Sequence, residues 1–102
     1  MTKKIKVLVY KVGLPPILTE IDNTLEASQE VVEGYIEGWA VPNFPSLMVI
    51  CHDTGRYEKK ANRIIPGIDW IYGTFFIVRI DDEGENVSLT ERDIQRLLKE
   101  IP

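Results

Sequence analysis

Most apolar runs in this sequence are separated by turn signals rather than by helix-length connections, and that spacing limits what the chain can fold into. Parallel neighbours in a sheet need a crossover of roughly a dozen residues, whereas antiparallel neighbours are joined by a few. Ile5-Lys6-Val7-Leu8-Val9-Tyr10 is rich in β-branched and aromatic residues and reads as a first strand, broken by Gly13 and the pair Pro15-Pro16. Ile17 to Ile21 reads as a second strand and Tyr35 to Val41 as a third. Leu47-Met48-Val49-Ile50-Cys51 is a continuous apolar run, the pattern of a central strand covered on both faces. Gly73 to Ile80 supplies a fifth strand, followed by the acidic turn around Asp81 to Glu85. Arg56 to Ile65 fits either a return strand or a short helix around Glu58 to Asn62.

Two stretches carry helix punctuation. Asn23 as cap with Glu26 three positions on forms a capping-box pattern, and Leu25, Ser28, Val31 and Val32 fall at helical spacing. Gly34 is placed to stop that helix in the left-handed conformation. Thr90 with Asp93 opens the second, whose apolar face is Ile94, Leu97, Leu98 and Ile101. The expected fold is α+β, one domain over residues 1–102. It has a mixed or largely antiparallel sheet of about five strands, with helices over about 23–33 and 91–100 on one face.

The 102 residues are enough for one core without metal or disulfide staples. A single cysteine, Cys51, leaves no internal disulfide to form, so nothing points to an oxidising compartment. No apolar stretch approaches the eighteen or so residues of a membrane span, and the expected location is the cytoplasm. The net charge of −4 is unevenly laid out. Residues 1–11 hold four lysines and no acid, residues 12–55 hold seven acids and no Lys or Arg, and residues 56–80 return to a net +3. General nucleic-acid binding would need a basic face, so that class is set aside.

Cys51-His52 suggests a thiol–imidazole pair, but neighbours on a strand point to opposite faces, so no nucleophile–base contact is expected. Cys51 instead reads as a buried small hydrophobe. One His and one Cys, without paired ligand spacing, give no metal site, and no cofactor or catalytic residue is assigned. Glu26, Glu30 and Glu33 lie at helical spacing and form an acidic stripe that fits docking of a basic protein partner. Asp53, Arg56, Asn62 and Arg63 gather after a strand end, where an Arg fork could hold a small anionic ligand such as a nucleotide or metabolite. The two tryptophans are expected in the core, as aromatic residues of so small a domain commonly are.

Several stretches resemble one family together. They are Val7-Leu8-Val9, Pro16, Ile21 to Glu26, Val31 to Ile36, Asp53-x-Gly55, Asn62-Arg63, Ile71-x-Gly73 to Val78, and Ser88-Leu89-Thr90. In order, over almost the whole chain, they resemble the domain-of-unknown-function family DUF3846. The resemblance implies a small bacterial, phage or mobile-element protein and transfers no mechanism. Where the family pattern has Asn-Glu-x-Gly, this chain has His52-Asp53-Thr54-Gly55, which argues against His52 as a required base and leaves Asp53, Asn62 and Arg63 as shared candidates. The functional expectation is a non-catalytic module acting through a protein partner, with small-anion binding by the 52–63 segment as the alternative.

Overall fold

A computed structural model describes residues 3–102. The five runs read as strands form β1 (Lys4–Tyr10), β2 (Ile17–Asp22), β3 (Ile36–Ala40), β4 (Leu47–His52) and β7 (Phe75–Ile80). They make one antiparallel sheet in the order β2-β1-β7-β4-β3, with the short β8 (Asn86–Val87) beside β7. β5 (Ala61–Ile65) and β6 (Asp69–Tyr72) pair with each other as a separate hairpin. The helices are α1 (Leu25–Val32), the single turn α2 (Gly55–Glu58) and α3 (Glu91–Glu100). The α+β class and the antiparallel sheet are as the sequence implied. No helix among the described residues is long and apolar enough to cross a membrane.

Register decides what lies on each face. Directly paired residues share a face, so Leu18, Leu8, Ile77, Val49 and Trp39 form one row across five strands. Ile17, Val9, Phe76, Ile50 and Gly38 form the next row, on the opposite face. The first face packs against Leu97 and Ile101 at α3, and against Ile65 and Ile71 of the β5–β6 hairpin. The second packs against Val31 and Val32 of α1. The two longer helices therefore lie on opposite faces, not on one. The reason is β7, where Phe75, Phe76, Ile77 and Val78 are all fully buried. A strand apolar at both parities must be covered on both sides.

Both helix starts are capped, with one shift. The Thr24 hydroxyl, not Asn23, accepts from the Ala27 N–H, while the Asn23 amide donates to the Asn86 carbonyl. At α3 the capping box is complete: Thr90 accepts from the Asp93 N–H, and the Asp93 carboxylate accepts from the Thr90 N–H at 2.9 Å. Leu25 and Leu98, expected inside, are exposed, because each helix buries only a narrow stripe on a sheet already filled by its own strands.

Glu33, with φ of 64°, takes the left-handed stop expected of Gly34. Gly34 has a different reason to lack a side chain: a Cβ there would lie 2.4 Å from His52 Nε2. Gly34→Ala is expected to cost ~1–3 kcal/mol, the usual range for overpacking. Adding His52→Ala to that variant should restore part of the loss, so a double-mutant cycle of thermal midpoints will show strong coupling.

Candidate functional site

A cleft of ≈270 Å³ opens where the end of β4 and the edge strand β3 face the β5–β6 hairpin. Trp39 enters it from β3 because its partner Val49 faces the hairpin side, and Glu37 follows from its pairing with Cys51. Asp53 and Arg56 border it from the turn after β4 and from α2, while Trp70 and Tyr72 border it from β6. Gly55 lets the two walls approach, since a Cβ there would lie 2.8 Å from the Tyr72 carbonyl oxygen. Trp39 is 48% exposed and Trp70 46%, so the chain's two tryptophans stand in one cleft instead of the core. Asp69, also on the wall, holds a φ of 142°, a region that side chains other than glycine's rarely occupy. Its carboxylate accepts from the Trp70 N–H at 2.8 Å, which fixes the start of β6.

The cleft's charge is mainly negative: Glu37, Asp53 and Asp69 against Arg56. Of the four residues read as an anion site, Asp53 and Arg56 border it; Asn62 and Arg63 do not. Asn62 sits at a β-bulge, where the β5–β6 register shifts between Ala61 and Arg63. A bulge re-aims the side chain of the extra residue. The Asn62 amide accordingly leaves the hairpin and donates to the Tyr10 carbonyl at 2.9 Å and the Gly73 carbonyl at 2.7 Å. Arg63 donates to Asn62 Oδ1, to the Leu14 carbonyl and to the main-chain oxygen of Pro102. Its guanidinium also lies 5.3 Å from the centre of the Tyr10 ring. The pair clamps the hairpin to the end of β1.

Glu26 and Glu30 are exposed on α1, and Glu33 is exposed at its left-handed C-cap, off the helical stripe. Glu33 has a partner that local sequence did not offer, Lys59, with Nζ 3.6 Å from the carboxylate. The His52 ring packs against Gly34 at the end of α1, opposite in direction to Cys51 as strand alternation requires, and His52 also borders the cleft beside the turn. Its Nδ1 accepts from the Thr54 N–H at 3.1 Å, which leaves the proton of the neutral ring on Nε2, 3.8 Å from Glu58. The Thr54 hydroxyl lies 3.4 Å from the same Nδ1 and donates to the Glu58 carboxylate, so His52, Thr54 and Glu58 together order the turn. No group of three or more metal-ligating side chains is present among the described residues.

Burial pushes the Cys51 thiol up to about 12, helped by the nearby negative charges of Glu37 and Asp53. Burial also raises Tyr10 well above its ordinary value, against the opposing charge of Arg63. Both groups hold their protons more tightly folded than unfolded, so native stability is full below their ordinary pKa values and falls as pH rises through them. Thermal midpoints should therefore drop progressively from pH 9 to pH 12, and the drop should be shallower in Cys51→Val. Thiol-specific labelling at pH 8 should be negligible in the native protein and complete in denaturant.

The sequence reading places both tryptophans in the core and assigns no role to Glu37. No curated protein and no solved structure matches the chain. A family model matches residues 5–101, nearly its whole length, so the chain belongs to the family described as Domain of unknown function (DUF3846).

Proposed function

We infer that this domain is a non-catalytic binding module that takes an extended segment of a protein partner along the free edge of β3. The observation that carries this is that edge. Among the described residues β3 pairs only with β4, and four of its five residues are exposed. The Tyr35 carbonyl accepts from the Asp53 N–H and the Val41 N–H donates to the Leu47 carbonyl. Antiparallel bonding alternates, so Ile36, Gly38 and Ala40 point their N–H and C=O groups outward, available to an added strand. Glu26 and Glu30 on α1, with Glu33 at its C-cap beside Lys59, add an acidic patch that favours approach of a basic partner. In the bacterial, phage or mobile-element setting that the family resemblance implies, the partner is a cytoplasmic host protein.

The anionic-ligand alternative draws less support, because Asn62 and Arg63 are engaged in holding the hairpin and only Arg56 is left as a cation on the cleft. The test is capture from host extract by the native protein and by Ala40→Pro. Proline at this exposed edge position removes an outward N–H and no ladder bond. The native protein should retain a partner that Ala40→Pro loses at unchanged thermal midpoint; equal capture by both would refute the edge reading.

A further inference from the structure

We propose that the cleft beside β3 is a receptor for an arginine or lysine side chain of the docked segment, so that the module selects extended segments with alternating basic and apolar residues. The proposal rests on β3 as the docking edge and adds the chemistry of what docks there. A strand laid against β3 places alternate side chains on the two faces of the sheet. Those on the Trp39 side emerge over the cleft, where they meet two half-exposed indoles with Glu37, Asp53 and Asp69 around them. A cation over an indole face is attracted by the ring quadrupole, and neighbouring carboxylates give it charge partners. Arg56 alone opposes it.

The cleft's size agrees. At ≈270 Å³ it has room for one long side chain. Apolar selection comes from the other face. Gly38 has no side chain, and the space its Cβ would fill is bordered by Met48 Cε at 3.1 Å and Ile50 Cδ1 at 3.4 Å. The added strand's alternate residue can lie over those two methyl ends.

Three seven-residue peptides alternating with valine test this, carrying arginine, citrulline or glutamate at the other positions. Citrulline keeps arginine's shape and removes its charge. Both of the chain's tryptophans stand in the cleft, so intrinsic emission reports occupancy directly. The arginine peptide is expected to shift that emission and to bind about tenfold more tightly than the citrulline peptide, the scale of a desolvated cation–π contact. Trp70→Leu, which leaves β3 untouched, should reduce that preference, and added salt should weaken it. Ala40→Pro should weaken both peptides together.

Equal binding of the arginine and citrulline peptides overturns the cleft proposal, as does a preference left undiminished by Trp70→Leu. Tighter binding of the glutamate peptide overturns it in favour of anion recognition by Arg56. Failure of the two readings is distinguishable. Equal peptide affinities that both require an unblocked Ala40 leave the edge reading standing. Arginine selectivity that depends on Trp70 and ignores Ala40→Pro supports the cleft proposal and refutes the edge.

Discussion

Replacing Asn62 by alanine should lower the thermal midpoint on the order of 10–30 °C, among the largest effects expected of a polar side chain in this domain. The Asn62 amide supplies hydrogen bonds to the Tyr10 and Gly73 carbonyls, and its oxygen accepts from Arg63. Alanine leaves those carbonyls without these donors, at ~1–3 kcal/mol for each group that water cannot reach. The total, ~2–4 kcal/mol, converts at roughly 4–8 °C per kcal/mol for a domain of this size. Asn62→Asp should be at least as severe, because a carboxylate would face two carbonyl oxygens. A residue kept for ligand binding would behave differently, with loss of binding and little change in stability. Calorimetry of the two variants separates the clamp from a site.

The second large effect is at Asp93. Its two carboxylate oxygens lie 2.9 and 3.0 Å from Arg79 Nη1, and one of them also closes the capping box of α3 at the Thr90 N–H. The side chain is only 12% exposed and Arg79's 34%, so the pair is partly desolvated. Asp93→Ala removes the cap contact, at ~1 kcal/mol, and leaves Arg79 without its carboxylate. Because Arg79 can turn toward water, the pair's share is nearer ~1–2 kcal/mol than the 3–5 of a fully buried bridge. A combined loss of ~2–3 kcal/mol is expected in denaturant titrations. Asp93→Asn should recover part of the cap and little of the pairing. Arg79→Met should cost less than Asp93→Ala, since the capping box remains.

Much of the sheet was legible because its strands announce themselves locally. Ile5 to Tyr10, Leu47 to Cys51 and Gly73 to Ile80 are dense in β-branched and aromatic residues, and all three lie at the centre of the sheet. The capping box of α3 was legible for the same reason, since Thr90 and Asp93 satisfy each other within one turn. Layering was harder. The Phe75 to Val78 run demanded cover on both faces, yet nothing local says which helix supplies which. The hairpin hid because Ala61 to Ile65 contains a bulge that interrupts its alternation.

The candidate site was half legible. Asp53 and Arg56 were found from their turn, and both border the cleft. Asn62 and Arg63 were grouped with them by sequence proximity, whereas their partners Tyr10 and Leu14 lie 52 and 49 positions away. The unneutralised look of the 12–55 segment had the same origin, because Lys59 reaches Glu33 from outside it. Trp39 and Trp70 come together only through tertiary pairing; the exposure of Trp39 follows from β3 being an edge of the large sheet, and Trp70 stands on the separate hairpin.

The account's central claim is that the outer edge of β3 is the binding surface. Residue-resolved amide hydrogen exchange, with and without a saturating alternating arginine–valine peptide, tests it most directly. The account predicts fast exchange at Ile36, Gly38 and Ala40 in the free protein, strong protection of those three amides on binding, and no change along β2, the sheet's opposite edge. Protection that appears along β2 instead, or binding that leaves all three β3 amides exchanging as before, would contradict it.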